Sequence, residues 1–158
     1  MHSMIEYQLL VKELLSLNKI NYCKKLQGDA KRQMKETVLL FNISLRETRL
    51  KIGKALLPLN IAVKAVESKY YMESIGYLAG YKEMPVAGGT YDGNELEGEM
   101  IVMAGIHSAK VDLVLAALRK AGIPKSCLKA ILTDTNRFWS APRLYEELKK
   151  EHDTMSGI

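Results

Sequence analysis

Short apolar runs alternate with segments of helical period from residue 36 onward. Continuous apolar runs of this length are typical of strands that are buried on both faces. Four of them occur, at residues 37–43 (TVLLFNI), 61–66 (IAVKAV), 100–105 (MIVMAG) and 128–132 (LKAIL). A helical period follows each run, as in residues 108–121, where the apolar positions share one face. The pattern predicts the order β-α-β-α-β-α-β-α.

Polar residues at the ends of these segments predict where the helices begin and end. Ser44 and Glu47 match the S-x-x-E capping box, which predicts a helix over residues 44–57. Ser68 is expected to cap a second helix that runs to residue 81, and Gly122 to end the third. The closing helix is expected to run to about residue 152, and residues 85–98, rich in turn formers, are predicted to be a loop.

The two halves of the chain match at an offset of 62 residues, which indicates a duplicated β-α-β-α unit. The matched pairs are Val38 with Met100, Leu56 with Leu118, Ile61 with Ile123 and, after three extra residues, Lys64 with Lys129. Each β-α-β crossover is expected to be right-handed, with its two strands parallel. If each unit winds outward from the centre, the fold is an α/β domain with a four-stranded, mostly parallel sheet in the order 2-1-3-4. The alternative is a ferredoxin-like split β-α-β arrangement with an added helix, in which the third strand is antiparallel.

Charge divides the chain near residue 35. Residues 1–35 contain seven Lys or Arg against three acids, whereas residues 36–158 carry a net charge of only +1. We therefore predict a basic helical extension at 1–35 and a single domain at 36–158. Nucleic acid is a disfavoured partner, because the basic pI describes the extension more than the domain.

Several classes of protein are excluded or disfavoured by absent patterns. Cys23 and Cys127 have no metal-ligand or disulfide-framework spacing, which predicts reduced thiols and a cytoplasmic location. No stretch has the 18 or so apolar residues of a membrane span, so no membrane partner is expected. Neither the P-loop nor the G-x-G-x-x-G pattern occurs, and His2 and His152 form no ligand pair, so no cofactor or metal is predicted.

The best candidate site lies where the first and third strands would end side by side. Ligands of open α/β sheets bind at such a switch point, and two helix N-termini there would offer N–H groups to an anion. The candidate ligand-binding residues are Asn42, Ser44, Gly105, His107 and Ser108, flanked by Thr133, Asp134, Thr135 and Asn136. The best reading is a non-catalytic module that binds a small anionic ligand or a protein partner. The alternatives are an enzyme that uses His107 with Asp134 or Asn42, and a nucleic-acid-associated protein that binds through its basic extension.

The segment ILTDTNRFWS at residues 131–140 is interpreted as a structural joint. Its small polar side chains are typical of local turns, and Trp139 and Leu144 stand at the two positions of a hydrophobic staple around a Ser140 cap. This segment also carries a resemblance. LKAILTDTNRFW followed by LYEELKKEH resembles an uncharacterised domain family of anaerobic and Gram-positive bacteria, with the motifs K-A-x-L-T-x-T-N-x-x-W and L-x-E-L-x-x-E-H.

The resemblance extends over about residues 36–152, because MIVMAGI, VLLFNIS and IGYLAG also fit the family. It implies no activity. Two positions depart from the family pattern: Pro142 replaces an ordinary helix former, and His107 replaces a small polar helix cap. The second departure weakens a catalytic role for His107.

A chain that begins at Met34 tests the predicted division. Because the composition changes there and the first strand begins at Thr37, this shortened chain is expected to remain soluble and to unfold cooperatively in a thermal melt monitored by circular dichroism. Aggregation or a non-cooperative melt would show that the extension belongs to the core.

Overall fold

A mixed four-stranded sheet forms the centre of the domain. The computed structural model describes residues 35–155. The strands are β1 (Thr37–Phe41), β2 (Ala62–Val66), β3 (Met100–Ala104) and β4 (Leu128–Ile131). They lie in the order β2-β1-β3-β4, as the sequence predicts. The β1–β2 and β3–β4 pairs are parallel, and the central β1–β3 pair is antiparallel.

Helices cover both faces of this sheet. They are α1 (Arg46–Leu56), α2 (Ile75–Leu78), α3 (Ser108–Lys120) and α4 (Ala141–Met155), with short 3₁₀ turns at Leu57–Leu59, Ser68–Tyr70 and Asn136–Phe138. Alternate strand residues face opposite sides, so the sheet divides the core into two clusters. Val38 and Leu40 pack with α1 and α3, whereas Leu39 and Phe41 pack with α2 and α4. This double burial explains why the central strands are continuous apolar runs.

The direction of β3 corrects one feature of the expected topology. Thr37 pairs with Ala104 and Phe41 with Met100, so β1 and β3 end at opposite edges of the sheet. The ferredoxin-like alternative anticipated an antiparallel third strand, but no strand lies between β1 and β2, so the β-α-β units are not split. The fold therefore consists of two parallel β-α-β-α units, which join in one sheet through the antiparallel β1–β3 pair.

The antiparallel junction also changes the register of the internal repeat. A two-fold axis perpendicular to the sheet leaves each side chain on its own face. Val38 packs on the α1/α3 face and Met100 on the opposite face, so these two residues are not equivalent. Lys64 and Lys129 differ in the same way, because they pair with Leu39 and Ile101, which face opposite sides. The offset of 62 fits the helices, where Leu56 and Leu118 are both buried, but is wrong for the strands.

The helix caps differ from the expected ones. α1 begins at Arg46 after a Leu45 cap that makes no side-chain bond, so the Ser44 capping box is wrong. Instead, the Arg49 guanidinium donates to the carbonyl oxygens of Ile43 and Ser44 at 2.8 and 2.6 Å. The predicted helix over residues 68–81 is also wrong in extent. It consists of a 3₁₀ turn and the four-residue α2, which Ser74 caps by accepting from the Tyr77 N–H.

A tight junction connects α2 to the start of α4. The N–H of Ile75 donates to the carbonyl oxygen of Trp139 at 2.9 Å, and Ser74 forms a β-bridge with Ser140. A Cβ atom at Gly76 would lie 2.9 Å from the carbonyl oxygen of Arg137, which is closer than a side chain allows. Gly76 therefore permits this close approach. With Gly80 it forms a G-x-x-x-G motif, which outside a membrane more often reflects close packing than a functional role.

The predicted helical extension lies outside the described residues, apart from Lys35. Within residues 35–155, the structure contains no helix with both the length and the apolar character that a membrane crossing requires.

Replacement of Trp139 by Ala tests the joint. Trp139 is partly buried against the α2/α4 core cluster, which includes Leu144, and the Arg143 guanidinium lies 4.6 Å from its ring centroid. Truncation of a fully buried aromatic side chain to Ala lowers the free energy of unfolding by roughly 3 to 5 kcal/mol. Because Trp139 is only partly buried, we expect Trp139→Ala to lower it by about 2 kcal/mol. Urea unfolding monitored by circular dichroism measures this change.

Phe138→Ala is the matched control for this measurement. Phe138 is 59% exposed, so its truncation is expected to change the free energy of unfolding by less than about 0.5 kcal/mol. Equal effects of the two substitutions would contradict a stapling role for Trp139.

Candidate functional site

The antiparallel β1–β3 pair separates the predicted site residues into two groups. Asn42 and Ser44 follow β1 at the edge where β3 begins, which we call the Asn42 edge. Gly105, His107 and Ser108 follow β3 at the opposite edge, the His107 edge. Residues 133–136 follow β4, which is parallel to β3, and so join the His107 group. The expectation of one site containing both Asn42 and His107 is therefore wrong.

Asn42 has a structural position at its own edge. Its φ of 60° is in the left-handed region, which Asn tolerates better than most residues. Its amide nitrogen donates to the carbonyl oxygens of Leu96 and Gly98 at 2.9 and 3.2 Å. These bonds fasten the end of the 85–98 loop to the end of β1. Ser44 is exposed and its carbonyl oxygen is bound by Arg49.

Two carboxylates, those of Glu95 and Glu73, form further bonds that hold the 85–98 loop. The Tyr71 hydroxyl donates to Glu95 at 2.6 Å, and burial together with this carboxylate raises the pKa of Tyr71. Glu73 is 6% exposed and accepts from the N–H groups of Ala87 and Gly88 at 2.8 and 3.3 Å. Glu73 thus occupies the backbone donors that a bound anion would otherwise need.

The His107 edge contains an internal carboxylate as well. Glu36 accepts from the N–H of His107 at 3.3 Å and forms an ion pair with Lys110 at 2.7 Å. Burial raises the pKa of the Glu36 carboxyl, but the bonds from Lys110 and His107 lower it by more, so the net value lies below 4.5. Lys110 also donates to the carbonyl oxygen of Leu59 at 3.3 Å. The carboxylate of Glu36, the residue before β1, is therefore already the anionic partner of the start of α3.

His107 is the cap of α3. Its Nδ1 accepts from the N–H of Ala109 at 3.2 Å, an arrangement in which the proton is on Nε2. Ser108 is the first residue of α3, and Gly105 has a φ of 67° that places it in the left-handed region. Histidine thus caps α3 at the position where the resemblance implies a small polar cap.

Residues 133–136 form a closed turn. The Thr133 N–H donates to Asn136 Oδ1 at 2.7 Å, the Asn136 N–H donates to Thr133 Oγ1 at 3.1 Å, and Asn136 Nδ2 donates to the Ile131 carbonyl oxygen at 3.0 Å. Asp134 lies 3.7 Å from the Arg137 guanidinium, and Thr135 is exposed. The polar atoms of Thr133 and Asn136 are thus used inside the turn, as the structural interpretation of this segment expects.

A surface that the sequence reasoning missed lies beside this turn. Met72, Tyr77, Val86 and Phe138 are large apolar residues with exposed side chains, and we call them the aromatic surface. The segments that carry them meet at one junction, because Met84 and Arg137 both approach Gly76 within about 3 Å of where its Cβ would be, and Ser74 forms a bridge with Ser140. The Arg137 guanidinium lies 4.8 Å from the Phe138 ring centroid. The sequence reasoning missed Tyr77 because Tyr70, Tyr71, Tyr77 and Tyr81 recur at helical spacing, a pattern that is most simply a packed helix face.

Metal and thiol chemistry have little support among residues 35–155. No group of three or more His, Cys, Asp or Glu side chains there could hold a metal ion. Cys127 is buried, and burial raises the pKa of its thiol to about 12. A thiol with such a pKa is protonated at neutral pH and is a poor nucleophile.

Comparison with known proteins identifies one related family. The model of a family described as Domain of unknown function (DUF3783) matches residues 99–155, which contain the second β-α-β-α unit. No curated protein and no solved structure matches the chain. The match supports an uncharacterised domain family as the relative of this half, as the resemblance suggested. The finer motifs and the bacterial source stay predictions.

The Glu36 ion pair makes stability depend on pH. A lowered folded-state pKa contributes stability that is present above the unfolded value near 4.5 and is lost as pH falls through the folded value. Glu36→Gln is therefore expected to lower the free energy of unfolding by up to about 1 kcal/mol at pH 7 and by less below pH 4.5. Urea titrations across this pH range measure the difference.

Glu47→Gln is the control, because Glu47 pairs with Lys51 on the exposed surface of α1. Its effect at pH 7 is expected to stay below about 0.5 kcal/mol. A Glu36→Gln deficit that persisted unchanged at pH 3 would contradict the assigned role.

Proposed function

We propose that the domain is a non-catalytic module that binds a protein partner through the aromatic surface. The observation that carries this proposal is the exposure of Met72, Tyr77, Val86 and Phe138 on one side of the α2–α4 junction. Soluble domains expose single apolar residues routinely, but a cluster of large ones marks an interaction site. Aromatic residues, Met and Arg are also the types enriched at the centres of protein interfaces.

The arginines strengthen this argument. The Arg137 guanidinium lies 4.8 Å from the Phe138 ring centroid, and the Arg143 guanidinium lies 4.6 Å from the ring centroid of the partly buried Trp139. Guanidinium groups commonly pair with aromatic rings in this way at interfaces. Aromatic side chains and arginines of this kind frequently contribute most of the binding energy of an interface.

The backbone beneath the surface is held rigidly. The bond from Ile75 to Trp139, the Ser74–Ser140 bridge and the close contact at Gly76 all fix the two segments that carry Tyr77 and Phe138. A surface that is already ordered loses little conformational entropy on binding. This favours recognition of a partner by a preformed shape.

Two of the other readings, a site for a small anion and an enzyme, have weaker support. A small anion would compete at the His107 edge with Glu36, and at the 85–98 loop with Glu73, for donors that are already bound. An enzyme that used His107 with Asn42 would need side chains from opposite edges of the sheet to meet. His107 with Asp134 is the remaining pair, although Nδ1 of His107 is engaged as a cap and Asp134 pairs with Arg137.

The proposal includes a bacterial cytoplasmic setting. Support for the compartment comes from Cys127, which is a free buried thiol, and support for the source comes only from the family resemblance.

Site-specific photo-cross-linking tests the proposal. A photoreactive side chain at position 138 is expected to capture one discrete protein in cells that express the chain natively. The same side chain at Ser126, an exposed position away from the aromatic surface, is the control and is expected to capture none. The captured protein is then purified and titrated calorimetrically against the unmodified chain.

Phe138→Ser and Tyr77→Ser are each expected to raise the Kd at least tenfold, equivalent to about 1.4 kcal/mol. Both side chains are exposed, so the folded state should be retained. Equal capture at positions 126 and 138, or a Kd that neither substitution changes, would refute a role for the aromatic surface.

A further inference from the structure

A second exposed apolar cluster lies on the opposite side of the domain. Leu50 is two residues before buried Ile52 on α1, and Leu113 is two residues after buried Val111 on α3. Two residues turn a helix by about 200°, so both leucines point away from the sheet. Each is 54% exposed. Leu45 and Leu57, just before and just after α1, are exposed as well, and we call the four residues the leucine surface.

The two helices that carry these leucines lie side by side. Both pack on the same face of the sheet and against each other. Each runs back along its own strand, so the antiparallel β1–β3 pair makes α1 and α3 antiparallel as well. Two adjacent antiparallel helices present a shallow groove between their outward residues, which has the dimensions to receive a third helix.

A strong positive charge surrounds the leucines. The helices contain seven Lys or Arg against two acids, a net charge of +5. Residues 36–158 as a whole carry +1, so the rest of that domain carries −4. Three of these basic side chains have internal partners, because Arg49 binds carbonyl oxygens, Lys51 pairs with Glu47 and Lys110 pairs with Glu36. The other four are exposed: Arg46, Lys54, Arg119 and Lys120.

We propose that the leucine surface is a second docking site, which receives an acidic amphipathic helix of a partner protein. Helices of this kind place apolar residues at i, i+3, i+4 and i+7, which the leucines would contact. Their acidic residues would face the basic side chains, and this complementarity would speed association and reject basic helices. The inference does not depend on the aromatic surface.

The arrangement favours a helix over a nucleic acid. Proteins that bind single strands combine basic residues with aromatic side chains on which bases stack. The exposed large apolar residues of α1, α3 and their flanks are leucines, which stack poorly but pack well against an apolar helix face. A duplex would need phosphate contacts only, and the leucines would then stay exposed to water.

Nuclear magnetic resonance titration of the full chain tests this proposal. The probe is a synthetic helical peptide of about 15 residues, with Leu at positions i, i+3, i+4 and i+7 and Glu at the other positions. It is expected to shift the amides of α1 and α3. A matched peptide with Lys in place of Glu is the specificity control and is expected to leave them unchanged.

Two sets of substitutions separate the apolar and charged contributions. Leu50→Ser with Leu113→Ser, and Lys54→Glu with Arg119→Glu, are each expected to weaken peptide binding at least tenfold. The charge variant is also expected to reduce the dependence of binding on salt concentration. Tyr77→Ser with Phe138→Ser, at the aromatic surface, is expected to leave peptide binding unchanged.

Several results would overturn the proposal. Equal binding of the Lys peptide would show that charge does not select the partner, and amide shifts outside α1 and α3 would place the binding elsewhere. Tighter binding of a single-stranded oligonucleotide, or of vesicles that contain anionic lipid, at the same amides would assign the surface to that class of partner instead. Absence of any shift at high peptide concentration would show that no acidic helix docks there.

Discussion

The antiparallel pairing of β1 with β3 is the constraint on which the other features of the domain depend. The strands of each β-α-β-α unit are parallel, and the antiparallel central pair relates the two units by a two-fold axis perpendicular to the sheet. This arrangement places α1 beside α3 on one face and α2 and α4 on the other. It also sends the ends of β1 and β3 to opposite edges. A sheet built this way has no central crevice of the kind at which open parallel sheets bind ligands.

Internal carboxylates then occupy the positions where an anion would be expected. Glu36 is the residue before β1. It reaches the start of α3 because the antiparallel pairing brings the beginning of β1 next to the end of β3. Glu73 binds backbone N–H groups of the 85–98 loop in the same manner. An unpaired buried carboxylate would be costly, and so would unpaired N–H groups, so each satisfies the other. The domain thereby uses its anion-binding donors for its own stability.

The sequence carried some of these features and lacked others for physical reasons. Apolar runs such as TVLLFNI predicted the strands, and the order 2-1-3-4 followed from the assumption that each unit winds outward from the centre of the sheet. The direction of β3 could not be deduced, because a central strand covered on both faces has the same apolar pattern whether its neighbour is parallel or antiparallel. The connection from β2 to β3 is long enough to enter the sheet from either edge. The Ser44 cap was predicted wrongly because Ser44 fits the residue types of a capping box, whereas the helix begins one residue later, after Leu45, whose side chain has no acceptor.

The difference between the two units explains where the aromatic surface arises. α4 has 15 residues, whereas its counterpart α2 has four, so α2 alone cannot cover its half of the sheet. Leu96 of the 85–98 loop completes that cover as part of the α2/α4 core cluster, and Asn42, Glu73 and Tyr71 hold the loop in place. A loop buries less apolar surface than an amphipathic helix of equal length, and Val86 and Tyr77 consequently stay exposed next to Phe138. The family match covers the second unit, the one with the full-length helix. The junction at the shorter helix therefore carries large apolar side chains on its surface, while the α1/α3 layer, to which both units contribute, carries a net positive charge.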